Sequence, residues 1–227
     1  MQIKNNKNKA AVIIGPALAV DTLIFTIREG ALSVLLIQIG NGSYKGKWAL
    51  PGGIVQINET LDEAAKNVLA KKAGITGVHM EQLYSFSALN RDVRGRAVSV
   101  AYFALVDSDQ FAPKTIDYYA DIKWQVISKL PAMAFDHKEI IECGVARLRA
   151  KIEYSNIVYG LLPKVFTLTE MQGVYEAIIG HVIDKRNFRK KILALDILIE
   201  TDKERTGSKS RPAKLYRFKK RQLVFTD

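Results

Sequence analysis

Two β-branched, apolar runs, Ala17 to Thr26 and Leu32 to Ile39, flank Arg28-Glu29-Gly30 near the start of the chain. Runs of this kind around a turn predict a strand pair. A turn-rich loop from Gly40 to Lys47 follows, and Trp48 to Val55 reads as strand-like with a tight bend at Pro51-Gly52-Gly53. The period then changes. Leu61, Ala64, Ala65, Val68 and Leu69 recur at helical spacing, Thr60-x-x-Glu63 fits a capping box, and Gly74 supplies a C-cap. Strands are predicted over Glu81 to Ser87 and Arg96 to Val106, around the polar loop Asn90 to Gly95, and again over Ile122 to Ile127. Asp136 is expected to cap a helix reaching to Ile152, with Ile140, Ile141, Val145 and Leu148 on one face. Strands mixed with two helices describe an α/β or α+β domain.

After a connecting stretch at 153–164 the pattern takes another character. Thr167-x-x-Glu170 predicts a capped helix ended by Gly180, and Asp184 caps a second one from Lys185 to Leu195. Ile197 to Thr201 and Lys214 to Phe218 read as strands around the basic loop Gly207 to Pro212. Helix, short turn, basic helix and hairpin outline a winged helix-turn-helix. The expected domains are residues 1–157 and 158–227.

Composition narrows the functional classes. The 227 residues are 48% hydrophobic and 25% charged, an ordinary globular balance. Lys and Arg number 34 against 23 Asp and Glu, a net charge of +11, which points to a polyanionic partner. The excess is uneven: residues 164–227 carry 15 basic and 8 acidic side chains, a net of +7. One cysteine, Cys143, excludes an intrachain disulfide, and His79, His137 and His181 lack zinc-ligand spacing. No apolar run approaches the ~20 residues of a membrane span, and the basic N-terminus runs straight into a strand pattern rather than a signal sequence. A cytoplasmic protein without membrane contact or cofactor is expected. His79 and His181 read as structural or surface residues, His137 as a capping or packing residue, and Trp48 and Trp124 as core.

Gly53, Glu59, Leu69, Gly74 and Ile75 fall on the pattern G-x5-E-x7-R-E-U-x-E-E-x-G-U over its full 23-residue span, U being aliphatic. The segment resembles the Nudix box, and Trp48-Ala49-Leu50-Pro51-Gly52 resembles the family's approach to it. In working members, the resemblance implies, carboxylates at i, i+3 and i+4 converge on Mg²⁺ at the substrate diphosphate. Here those positions hold Val68, Lys71 and Lys72, and the family's arginine position holds Asn67. Lysine repels a divalent cation and offers it no acceptor. Mg²⁺-dependent hydrolysis is therefore expected to be lost, with no metal site and no catalytic residues. Two readings stay open for Lys71 and Lys72: direct contact with a diphosphate, or solvated charges favourable at a helix C-terminus. Arg91, Asp92 and Arg96, clustered in a loop between strands, suit a phosphate or ribose ligand. Together with Gly53 these are the candidate effector residues.

The second candidate site is the basic helix. Phe188, Ile192 and Leu195 fall at i, i+4 and i+7, leaving Lys185, Arg186, Asn187, Arg189, Lys190 and Lys191 on the remaining surface. A recognition helix needs that division, since arginine and asparagine read base edges while lysine neutralises phosphate. A merely solvated charged face is the alternative. Lys209, Arg211 and Lys214 are expected to reach flanking backbone from the wing.

The order of the halves, with Phe166-Thr167-Leu168-Thr169-Glu170-Met171-Gln172, the basic helix and Arg211-Pro212-Ala213-Lys214-Leu215-Tyr216-Arg217-Phe218, resembles the Nudix-related transcriptional regulators over nearly the whole chain. That resemblance implies a Nudix α/β/α sandwich followed by a winged helix. It also implies a homodimeric repressor on a palindromic double-stranded operator, with a small effector in the Nudix domain. One branch of the family governs NAD biosynthesis and salvage and binds ADP-ribose; another governs sugar catabolism and senses a sugar derivative. Leu161-Leu162-Pro163-Lys164 and the basic helix look more like the sugar branch, and the effector is left as ADP-ribose or a sugar derivative. The rival readings are a Nudix hydrolase with an appended nucleic-acid module and an RNA-binding protein.

Overall fold

The computed structural model describes residues 15–107, 109, 111, 119–205 and 212–225. Its larger sheet is built on β1 (Ala17–Arg28), which is buried from Val20 to Thr26. β2 (Ala31–Ile39), β3 (Trp48–Ala49), β4 (Gly52–Ile54), β5 (Met80–Phe86), β6 (Ala97–Leu105) and β7 (Tyr119–Val126) complete seven strands. The order is β3-β2-β1-β6-β5, with β4 also on β1 and β7 also on β2. β1 and β6 run parallel, Ala17 to Phe25 opposite Ala97 to Leu105. The two-residue period of a strand sorts β1 between two layers. Val20 and Ile24 pack toward α1 (Leu61–Ala73), with Ala65, Val68 and Leu69. Leu23 and Phe25 pack toward α2 (His137–Tyr154), with Ile140, Ile141 and Leu148. The result is the α/β/α sandwich. Gly144 lets α2 approach this closely: a Cβ there would lie 2.1 Å from Leu23 Cδ2 and 3.3 Å from the Phe25 ring.

α1 begins and ends where its sequence says. Thr60 Oγ1 accepts from Glu63 N, Glu63 Oε2 accepts from Thr60 N, and Gly74 closes the helix at φ +67°. α2 starts differently from expectation. Asp136 precedes it but makes no side-chain cap, because its carboxylate is taken by Arg91. That pair belongs to a buried network around Asp21. Arg91 bridges Asp136 (Nε–Oδ2 2.9 Å, Nη2–Oδ1 2.8 Å) to Asp21 (Nη2–Oδ2 3.3 Å). Ser99 Oγ donates to Asp21 Oδ2 at 2.6 Å, and His137 Nε2 stands 3.3 Å from Asp21 Oδ1. Leu50 N donates to His137 Nδ1 at 2.8 Å, which fixes the tautomer with its proton on Nε2, aimed at Asp21. Burial would raise the Asp21 carboxyl, but His137, Ser99 and Arg91 outweigh it and hold it at about 2.

The second unit carries β8 (Phe166–Thr167), α3 (Leu168–Ile179), α4 (Lys185–Ala194), β9 (Leu198–Arg205) and β10 (Ala213–Phe218). Its sheet runs β8-β10-β9. β8 is two residues long, too short to show a period in sequence. β9 extends four residues beyond the expected Thr201, and β7 begins at Tyr119 rather than Ile122. The stretch at 155–163 is no exposed tether: Ile157, Val158, Leu161 and Leu162 are buried. They continue one core from β1, β2 and α2 into α3, Phe188 of α4 and Tyr216 of β10. Arg149 of α2 donates to Ile178 O of α3 at 2.9 Å. The returning segment 219–225 straps the junction. Arg221 donates to the carbonyls of Tyr159, Leu162 and Pro163, and Asn156 bonds Gln222 O and Val224 N.

Two stability outcomes follow from these contacts. Gly144→Ala is expected to destabilise the chain by about 1–3 kcal/mol, the range for overpacking a filled core, as read by urea unfolding. The Asp21 carboxyl sits below its ordinary 3.8, so its contribution is present above 3.8 and is lost as the pH falls towards 2. The shift corresponds to about 2 kcal/mol. The difference in unfolding free energy between wild type and Asp21→Asn should shrink between pH 5 and pH 2; a constant difference would place the stabilising charge elsewhere.

Candidate functional site

A cavity of about 370 Å³ opens beside the Nudix-like segment, within the usual range of ligand sites. Its lining brings together Asp21, Tyr44, Gly53, Lys72, Asp92 and Phe135, which come from β1, three loops, β4 and α1. Of the sequence-derived effector residues, Gly53, Lys72 and Asp92 reach its surface. Arg91 also touches it, but its guanidinium is only 4% exposed and is held by Asp21 and Asp136, so it supports the wall from within. Arg96 does not line the cavity; it donates to the carbonyls of Ser87, Ala88 and Ala97. Lys71 lies on a separate outer groove with Glu59, Lys66 and Asn67.

Lys71 and Lys72 are therefore not a pair. Neighbours on a helix are turned by about 100°. Lys71 is exposed, whereas Lys72 is half-buried and its ammonium donates to Gly52 O. It also lies 5.3 Å from the centre of the Tyr119 ring. Burial pulls the Lys72 ammonium below the usual lysine range, with the Asp21 carboxylate acting the other way. The glycines beneath it leave space. A Cβ on Gly52 would fall 2.0 Å from Asp21 Oδ1, and one on Gly53 3.9 Å from Lys72 Nζ.

The rest of the lining was not found by sequence reasoning. Phe135 holds a left-handed backbone at φ +54°, a conformation that costs a non-glycine residue energy. Its ring packs on Tyr44 at 4.2 Å and on His137 at 4.9 Å, and the Arg94 guanidinium lies 5.2 Å over it. Arg94 pairs with Asp92, and the Tyr44 hydroxyl accepts from Val93 N at 3.0 Å, tying loop 90–95 to loop 40–47. For these further residues the signal in sequence is a lone aspartate, Asp21, inside the apolar run of β1. His137, expected to cap or pack, does pack, and it also lines the cavity.

These residues do not fit the divalent metal that the fold implies. Glu59, the box carboxylate that remains, accepts from Gln56 N and from Asn67 Nδ2, each at 2.9 Å. Those two bonds hold it below the usual carboxylate range. Val68 is buried against Val20 and Tyr102. Among the described residues no group of three or more His, Cys, Asp or Glu converges as a ligand set. A larger groove, about 670 Å³, lies between the ends of β5 and β6 and the returning tail, and holds none of the Nudix-like residues.

The other candidate surface is α4. Phe188 and Ile192 are buried, Phe188 edge-on to Tyr175 of α3 at 5.2 Å. Lys185, Arg186, Asn187, Arg189, Lys190 and Lys191 are all exposed. The helix is aimed by its entry turn. Gly180 ends α3 at φ +87°, Glu176 Oε1 accepts from Ile183 N, Gln172 Nε2 donates to Ile183 O, and Asp184 Oδ1 accepts from Asn187 N at 2.8 Å. Lys214 faces β9 and pairs with Glu200. Lys209 and Arg211 lie outside the described residues. No helix among the described residues is long and apolar enough to cross a membrane.

Comparison with known proteins matches both halves of the chain. Residues 16–142 match the NUDIX domain, and residues 158–218 match the NrtR DNA-binding winged helix domain. The ADPR responsive transcriptional repressor NtrR of Acinetobacter baylyi is 37% identical over 207 residues, 89% of this chain and 82% of that one. The crystal structure of Shewanella oneidensis NrtR complexed with a 27mer DNA superposes with a TM-score of 0.79 at 36% identity, covering 89% of this chain and 93% of that chain. The NUDIX domain of the same protein complexed with ADP ribose superposes with a TM-score of 0.53 at 33% identity, covering 63% of this chain and 94% of that one. An ADP-ribose pyrophosphatase of Methanocaldococcus jannaschii is 32% identical over 139 residues, 61% of this chain and 79% of that one. A sandwich whose box keeps Glu59 but has lost its other carboxylates, followed by a winged helix with an exposed basic helix, places the chain in the NrtR family of Nudix-related, DNA-binding transcriptional regulators.

Proposed function

We propose that this regulator is a homodimeric repressor whose Nudix domain takes ADP-ribose as a ligand and leaves it intact. The observation that carries the reading is the helix α1. Where a hydrolase of this fold needs carboxylates for Mg²⁺, α1 offers a buried valine, an outward lysine and a lysine turned into the cavity. Beside it, the cavity keeps aromatic faces, donors and acceptors of the kind a nucleotide needs. The ADPR-responsive A. baylyi relative and the Shewanella co-crystal with ADP ribose support ADP-ribose over the sugar derivative that the linker sequence favoured. A second reading, hydrolysis of ADP-ribose, is favoured by the M. jannaschii relative; Mg²⁺-dependent turnover at ordinary enzyme rates would establish it.

We assign effector contact to Gly53, Lys72 and Asp92, and DNA contact to the exposed face of α4, with Lys209, Arg211 and Lys214 along the wing. A two-fold dimer puts two such helices on half-sites a whole number of turns of roughly 10 base pairs apart. Control requires ADP-ribose to prefer one dimer geometry, since equal affinity for both shifts nothing.

The DNA half is tested with a gel shift on the DNA upstream of the chain's own operon. Replacing Arg186 and Arg189 by Ala should remove specific binding, because each bidentate base contact is worth about 1–3 kcal/mol. Undiminished operator affinity would mean that another element reads the bases. Equal affinity for a matched RNA would favour an RNA-binding protein.

A further inference from the structure

We propose that the Lys72 ammonium is the resident cation of the effector cavity and holds the diphosphate of a nucleoside diphosphate sugar without a divalent metal. The proposal rests on the reading of that cavity as the effector site and adds how the anion is held there.

The charges around the cavity single out this side chain. Among the described residues three cations line it: Arg91, Arg94 and Lys72. Arg91 is neutralised by Asp21 and Asp136, and Arg94 pairs with Asp92. Lys72 has no carboxylate within ion-pair distance among the described residues; its bond goes to the neutral carbonyl of Gly52. Asp21 favours the charge from a distance, but a half-buried ammonium without a carboxylate in contact remains costly, and an arriving anion offsets that cost. An ammonium has three donors, so the bond to Gly52 leaves two for phosphate oxygens. The Tyr119 ring, its centre 5.3 Å from the ammonium, adds a weak attraction.

Position adds to charge. Lys72 occupies a place in the Nudix pattern where a carboxylate would bind metal, so its ammonium brings a positive charge where the pattern has a negative one. A divalent ion beside it would be repelled rather than recruited. Gly53, with no side chain between the ammonium and the opening, leaves the approach clear. Lys71, one residue earlier and equally charged, faces the outer groove with Glu59 and takes no part.

The test is calorimetric titration of ADP-ribose into the full chain, in EDTA and again in excess Mg²⁺. Wild type should bind equally well in both. Lys72→Gln should weaken binding in both by on the order of ten- to a hundred-fold, the scale of a lost charged hydrogen bond. Lys72→Arg should retain part of it, and Lys71→Gln should bind as wild type does. Lys72→Glu should bind poorly in EDTA and regain affinity with Mg²⁺. Thermal unfolding of each variant checks that the fold is kept. Titration of AMP, which lacks the diphosphate, should show a smaller loss for Lys72→Gln than ADP-ribose does. Wild-type binding that needs Mg²⁺, or unchanged affinity in folded Lys72→Gln, overturns the resident cation and leaves the effector reading standing. No binding of ADP-ribose by wild type in either condition overturns both.

Discussion

At the buried Asp21 carboxylate, β1, β6, the 90–95 loop and α2 meet. Ser99 and His137 bind it directly, and Arg91 ties it to Asp136 at the head of α2. An ionised carboxylate in a protein interior persists only when it is paired and hydrogen-bonded, so its position dictates the positions of its partners. The cavity depends on that constraint. Gly52 and Gly53 pass over Asp21, Phe135 precedes the Asp136–His137 pair, and Asp92 and Arg94 follow Arg91 in the same loop. A hydrolase needs carboxylates outside such a network to hold its metal. In this chain Asp21 and Asp136 are committed to structure, and the box carboxylate that remains, Glu59, is committed to Gln56 and Asn67.

The same architecture links the cavity wall to the winged helix domain. His137 lines the cavity and opens α2; farther along α2, Arg149 bonds the end of α3. α3 carries Glu176 and Gln172, which hold the turn that aims α4. Buried residues at 157–162 make the junction part of one core, and the returning tail fastens it through Arg221 and Asn156. Packed cores pass displacement between discrete arrangements instead of absorbing it. A ligand that moves the start of α2 therefore has a continuous path of packed contacts to α4, the helix we assign to DNA.

Much of this was legible in sequence where the determinants are local. Both capping boxes, both glycine C-caps and the split between Phe188–Ile192 and the basic face of α4 are set by residues within a turn or two of one another. The Asp21 network was not legible, because its members lie 70 and 78 residues from Asp21 in the chain and only the fold joins them. Arg91 looked like a ligand-binding arginine for the same reason: its carboxylate partners are remote in sequence. The separation of Lys71 from Lys72 was not legible, since residues i+3 and i+4 both flank residue i on a helix and only the fold decides which of them is buried. The connecting stretch, by contrast, announced itself through Ile157, Val158, Leu161 and Leu162, whose apolar character suits a core better than a tether.

Coupling between the two sites is a free-energy difference, and it is read most directly as operator affinity. Fluorescence anisotropy of the operator duplex, measured while ADP-ribose is added in EDTA, isolates ligand binding from any metal-dependent turnover. The predicted result is a change in operator affinity of roughly five- to a hundred-fold, the ordinary span of allosteric coupling, with the nucleotide recovered intact. Operator affinity that stays constant as ADP-ribose is added, or that changes only with Mg²⁺ and in step with nucleotide cleavage, would contradict it.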